Sequence, residues 1–180
     1  SLMDRKYREA GFGVYQVTDN NKRALSVARQ YVQKFDQMYE SNQGIIFYGP
    51  VGTGKSYTSA CIANALLDRN VSVIMTSFVK ILQNIQTQDE AEYIAMLNSA
   101  KLLILDDLGT EMTTAFTQSA LYQIINGRLL EKRSTIVSTN LIDAVAKAYG
   151  AELIEVLTGF KWIGKQILKN ETTGHGTYLL

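Results

Sequence analysis

The residues most able to do chemistry form one contiguous run, Gly49-Pro50-Val51-Gly52-Thr53-Gly54-Lys55-Ser56, which satisfies G-x-x-x-x-G-K-[ST] at every specified position. Glycines at 49, 52 and 54 admit backbone angles closed to other residues and let successive amides converge on an anion with no Cβ in the way. The chemistry is phosphate binding. Loop amides and the start of a following helix receive the anion, Lys55 reaches β- and γ-phosphates, and the Ser56 hydroxyl is offered to Mg²⁺. The nucleotide-holding stretch is read as Gly49, Pro50, Val51, Gly52, Thr53, Gly54, Lys55, Ser56 and Tyr57. A turn that merely joined a strand to a helix would have no need of Lys-Ser directly after the third glycine.

A triphosphate site also needs a carboxylate for the metal shell and a polar group that orients the attacking water. Asp106 and Asp107 stand where the apolar run Leu102-Leu103-Ile104-Leu105 stops, and in open parallel sheets ligands gather at the carboxyl ends of strands. Asp106 is read as the magnesium-shell carboxylate and Asp107 as the residue that polarises water; the alternative is a pair of solvated turn residues before Gly109. Asn140 follows Ile136-Val137-Ser138-Thr139 and emerges at the same end, where its amide can hold water, although asparagine after a strand is also a common turn former. The expected catalytic residues are thus Lys55, Asp107 and Asn140, with Ser56 and Asp106 for the metal.

These residues need a frame. Apolar residues at 24, 27, 28, 31, 35 and 38, after an Asp19-Asn20 start signal, predict one amphipathic helix over residues 20–40. Residues 45–48 read as a buried strand and 55–69 as a helix. Residues 71–76 read as a strand, with 78–85 and 90–97 as helices beyond it. Residues 102–105 form a strand closed by the two acids, 117–131 a helix, and 136–139 a further strand. Strands alternating with helices predict an α/β fold with a parallel sheet between helices, because a parallel crossover needs a connection long enough to hold one.

Composition sets the outer bounds. At 180 residues and 20.1 kDa the chain is sized for one core. It is 46% hydrophobic and 19% charged, a globular balance, and no apolar run approaches the ~20 residues of a membrane span. A net charge of +1 gives no global reason for tight nucleic-acid binding, so any DNA contact is expected to be local. Cys61 is the only cysteine, which excludes an internal disulfide and a multi-cysteine zinc site and fits a reducing, cytoplasmic setting. Ser1-Leu2 ahead of Met3 reads as an added leader and is set aside.

The stretch from about Phe12 to Ser134 resembles the AAA+ ATPase domain of bacterial replicative helicase loaders, the DnaC and DnaI kind, and the related IstB transposition ATPases. The resemblance rests on Gly11-Phe12-Gly13-Val14-Tyr15, on the 49–56 loop, on Leu-Leu-Ile-Leu-Asp-Asp-Leu-Gly-Thr-Glu at 102–111 and on Leu-Tyr-Gln-Ile-Ile-Asn-Gly-Arg at 121–128. It implies a P-loop NTPase of AAA+ type with a parallel sheet flanked by helices on both faces. It also implies ATP and Mg²⁺ as cofactors, and Asn140 as the sensor after the fourth strand. The implied partners are a replicative DNA helicase, single-stranded DNA held weakly, and further copies of the chain in the presence of ATP, in a primosome role with no membrane. The loaders carry a separate helicase-gripping N-terminal region, and this chain begins almost at the ATPase domain. An arginine from a neighbouring subunit completes AAA+ sites. The resemblance places it beyond the fourth strand, where this chain has no arginine after Arg133, and Arg128 is the first candidate for a finger supplied in cis.

Residues 135–180 resemble instead a segment of the third domain of phosphoglucomutases and phosphomannomutases, through Ile136 to Leu141, Tyr149 to Ile167 and Thr173 to Leu180. The mutase phosphoserine and metal loops are not in the sequence, so mutase activity does not follow. The organisation expected is therefore an ATPase core over 1–141 and a C-terminal segment over 142–180, its origin left open, that is not a full domain. Within it, Phe160, Trp162 and Ile163 read as packing residues, His175 as a loop residue, and Lys161, Lys165 and Lys169 as a solvated helix face. Alternatives to a helicase-loader ATPase are a small P-loop kinase, disfavoured by the lack of an arginine-rich lid after Arg133, and a nucleotide-sensing module with little hydrolysis.

Overall fold

In the computed structural model residues 3, 5–18, 21–109 and 114–140 are described. Four strands, β1 (Ile45–Tyr48), β2 (Val73–Ser77), β3 (Leu102–Leu108) and β4 (Ser134–Thr139), pair in the order β1-β4-β3-β2, and every pairing is parallel. Around them lie α1 (Lys22–Gln33), α2 (Phe35–Glu40), α3 (Lys55–Leu67), α4 (Phe78–Thr87), α5 (Glu90–Ser99) and α6 (Ala115–Leu130).

The strands are apolar on both faces because both are covered. Ile45 and Phe47 of β1, Met75 of β2, Leu102 and Ile104 of β3 and Ile136 of β4 pack with α1 and α3. Leu103, Leu105 and Val137, one residue out of step along the same strands, pack with α4, α5 and α6. Two cores therefore back the sheet, and the ends of the central strands are held from both sides. Helix α3, which carries the first turn after the glycine loop, is buried from Thr58 through Ala63 and again at Leu66. Among the described residues no helix is long and apolar enough to cross a membrane.

Three expectations need correction. The helix expected over residues 20–40 is two, since Lys34 (φ −102°, ψ 20°) leaves helical geometry between α1 and α2. No glycine or proline marks that break. Its cause is tertiary: Phe35 packs edge-on against Tyr31 in the core, while Tyr39 of the redirected turn meets the Lys101 ammonium and accepts a hydrogen bond from Arg133. The strand expected to stop at Leu105 runs on through both acids to Leu108. Arg128, the first candidate for a finger in cis, is only 1% exposed and lies at the wrong end of the sheet. Its guanidinium donates to the carbonyls of Leu97, Ala100 and Ser134 and to the Thr135 hydroxyl, where β3 and β4 begin. Asp19 and Asn20 of the proposed start signal, and the aromatic, histidine and lysine positions after residue 140, lie outside the described residues.

Candidate functional site

The loop after β1 takes the geometry its glycines permit. Gly49, Gly52 and Gly54 have φ of 140°, 84° and 85°, in the region that favours glycine, and Gly54 in left-handed geometry caps α3 directly before Lys55. Val51 at the tip is 83% exposed, so the loop presents its backbone to solvent rather than packing a side chain. Thr53 closes the turn by donating its hydroxyl to the Pro50 carbonyl at 2.9 Å. The unpaired amides of α3 begin here, so the loop and helix together form an oxyanion cradle. Ser56 and Tyr57 follow in the first turn, both partly exposed.

Lys55 is buried, and its ammonium donates to the carbonyls of Gly49 and Pro50 and to Asn140 Oδ1, each at 2.8 Å. Burial lowers its pKa, and the charges of Asp107 and Asp106 oppose that shift. The amide of Asn140 is thereby oriented, with oxygen toward the ammonium and Nδ2 donating to Asp107 Oδ1 at 3.4 Å. Lys55, Asn140 and Asp107, expected separately from three distant stretches, thus form one connected group at the carboxyl ends of β1, β4 and β3.

Asp106 and Asp107 occupy a bulge. Leu105 pairs with Val137 and Leu108 with Thr139, so both acids stand opposite the single residue Ser138. The Ser138 hydroxyl donates to Asp106 Oδ1 at 2.5 Å and accepts the Asp107 N–H at 2.8 Å. Asp107 has φ 55°, a left-handed conformation uncommon for a residue with a Cβ. The bulge sends the two carboxylates to different surroundings, with Asp106 partly buried and Asp107 exposed. The donor set suits a phosphate and a hard cation: backbone amides and an ammonium for the anion, and hydroxyl and carboxylate oxygens at Ser56 and Asp106 for the metal. Among the described residues no cluster of three or more His, Cys, Asp or Glu forms a separate metal cage.

Sequence reasoning missed Ser138 and also Tyr15. The Tyr15 hydroxyl lies 2.6 Å from Thr58 Oγ1, and Thr58 donates its only hydroxyl proton to the Gly54 carbonyl at 2.9 Å, so Tyr15 is the donor. The N-terminal segment is thereby tied to the last residue of the glycine loop, and the Tyr15 ring meets Tyr57 edge-on at 5.6 Å.

Residues 16–150, most of the chain and all of this site except Tyr15, match the family described as IstB-like ATP binding protein. The chain belongs to this family. It is 30% identical over 158 residues to the replicative helicase loader DnaC of Escherichia coli K12, a match covering 83% of this chain and 63% of that protein. It is 28% identical over 166 residues to the E. coli K12 protein YdaV, covering 87% of this chain and 66% of that one. The chain thus spans less than two thirds of the length of these relatives. Among solved structures, the DnaC helicase loader superposes with a TM-score of 0.68 at 18% identity, over 96% of this chain and 97% of that one. DnaI superposes at 0.66 with 24% identity, over 95% and 87%. The replication initiator DnaA, in a structure with AMPPCP and single-stranded DNA, superposes at 0.67 with 22% identity, over 96% and 57%. The fold is that of AAA+ P-loop proteins. The mutase resemblance of residues 135–180 finds no support: the IstB-like match continues to residue 150, and β4 sits between β1 and β3 in the sheet.

Proposed function

We propose that this chain is the ATP-binding and ATP-hydrolysing module of a replicative helicase loader, a cytoplasmic assembly factor acting in DNA replication. The observation that carries the reading is the convergence of Lys55, Asn140 and Asp107 at one end of the sheet, beside a loop built to hold phosphate. Family membership and likeness to DnaC support the choice of ATP and of a replicative helicase as partner. Single-stranded DNA is the second partner, held weakly, and ATP brings copies of the chain together.

In this reading residues 49–57 hold the nucleotide and Lys55 binds the β- and γ-phosphates. Ser56 and Asp106 hold Mg²⁺, which supplies charge neutralisation at the phosphate oxygens when bound. Asn140 orients a water and Asp107 polarises it, a division of labour consistent with Asp107 being exposed while Asp106 is tied to Ser138. Nothing here calls on residues beyond 140. The core over 1–141 carries every residue to which this reading gives a role. The test is to supply ATP and Mg²⁺ and follow the products alone, with helicase and with phosphate acceptors. ADP and inorganic phosphate, released faster with helicase present, support the loader reading; transfer of phosphate to an acceptor replaces it with a kinase.

A further inference from the structure

We propose that Ser138 is a positioning residue for the acidic pair, its hydroxyl holding the Asp106 carboxylate and the Asp107 backbone in one arrangement fit for a divalent cation. This rests on the proposed roles of Asp106 and Asp107.

Ser138 is 1% exposed and lies in the middle of the site, on the central strand that pairs with both β1 and β3. A serine hydroxyl has one proton and two lone pairs, and here each side is used on a different acid. The proton goes to Asp106 Oδ1 at 2.5 Å, the short length of a hydrogen bond to an ionised carboxylate. A lone pair takes the Asp107 N–H at 2.8 Å. With Oδ1 held, the Asp106 carboxylate cannot rotate freely, and Oδ2 together with the remaining Oδ1 lone pair is left for a cation. With its N–H held, Asp107 is kept in the left-handed conformation that accompanies its contact with Asn140. The bulge makes this arrangement possible, because a regular ladder would give each acid its own partner on β4 and only one could face this hydroxyl. Alanine at 138 would leave a partly buried carboxylate oxygen and a backbone N–H without their partner while removing nothing that touches the glycine loop.

The signature is a change in metal dependence separate from nucleotide affinity. Binding of a fluorescent ATP analogue to the chain is titrated with and without Mg²⁺, alongside ATP turnover and thermal melting. Ser138→Ala is expected to keep metal-free affinity within about 2-fold of wild type. It should raise the Mg²⁺ concentration needed for half-maximal effect, and lower turnover, by about 10-fold or more, the usual range for partners behind a metal ligand. Ser138→Thr, which keeps the hydroxyl, is expected to recover most of the loss. Should Ser138→Ala not melt cooperatively, Ser138→Cys, close in volume with a weak donor, replaces it in the same titration. Wild-type Mg²⁺ dependence in the hydroxyl-free variant overturns the proposal. So does an equal loss of affinity with and without metal, which would mark a purely structural role. A wild-type chain that binds no nucleotide overturns the functional reading itself, and does so before any Ser138 variant is compared.

Discussion

Lys55 and Asn140, 85 residues apart in the chain, are joined by a 2.8 Å hydrogen bond from the ammonium to the amide oxygen. The bond fixes which end of the amide faces which charge, and places Asn140 Nδ2 toward Asp107. It also means that every Lys55 proton has a protein acceptor, two of them carbonyls of the loop itself. A phosphate oxygen must compete with these acceptors, so binding and repositioning of Lys55 are one event.

Lys55→Ala is expected to abolish or severely weaken ATP binding while the thermal transition survives, because the cation is lost from a loop whose shape is set by glycine backbone angles. Isothermal titration with ATP and Mg²⁺ checks this. Unchanged affinity in a folded variant would remove the loop from the functional argument.

Asp106→Asn and Asp107→Asn are expected to separate. Asp106→Asn weakens Mg²⁺-dependent binding and turnover together, whereas Asp107→Asn keeps ATP and Mg²⁺ bound and slows hydrolysis. Parallel metal titrations and single-turnover assays read the two effects. Wild-type turnover in both variants would make the bulge a structural feature only.

The glycine loop was legible in the sequence because it is contiguous and its chemistry is local: three glycines, a lysine and a serine define backbone shape and charge without help from elsewhere. The strand positions were legible as well, since a sheet covered on both faces leaves unbroken apolar runs such as Leu102 to Leu105. Ser138 was not legible. Its role depends on a cross-strand register in which β3 has one residue more than β4, and no pattern within either strand records that. The break at Lys34 was hidden for a similar reason, because the helical spacing carries on across it and only the contacts of Phe35 and Tyr39 reveal the turn. Arg128 misled in the opposite direction: an arginine in the last turn of a helix ordinarily complements the helix dipole in solvent, whereas here it is enclosed by carbonyls.

That enclosure makes Arg128 a stability residue. Burial first, then the nearby Arg133, pushes its pKa down to about 10, still far enough above neutral for the charge to be kept in the fold. Arg128→Met would strand the carbonyls of Leu97, Ala100 and Ser134 in the interior, at a cost of about 3 kcal/mol or more. For a chain of this size that is a fall in Tm of roughly 6–12 °C. Calorimetry checks the shift, and a melting point within about 2 °C of wild type would show the network to be dispensable.

Tyr15→Phe tests whether the N-terminal segment acts on the loop. Losing the hydroxyl removes the hydrogen bond to Thr58 that is passed on to the Gly54 carbonyl, a loss of about 1 kcal/mol, or about 5-fold in nucleotide affinity if it falls wholly on the bound state. Expected is a several-fold weaker Kd at unchanged turnover per bound nucleotide. Unchanged affinity would confine Tyr15 to packing against Tyr57.

The isolated 180-residue chain is expected to bind ATP yet hydrolyse it slowly. A finger arginine stabilises the charge of the transition state rather than bound ATP, so without one the rate falls by ~10³ or more while binding survives. Arg128 cannot serve in cis, because its guanidinium is tied up where β3 and β4 begin and the phosphate loop lies where the strands end. The expected source of a finger is another copy or a partner, so turnover per chain should rise with protein concentration or on adding the helicase. Steady-state turnover measured across a wide range of chain concentrations reads this directly. Brisk hydrolysis that is independent of concentration would mean the site is complete within one chain, and the search for its cation would move to the remaining arginines, none of which the sequence singles out.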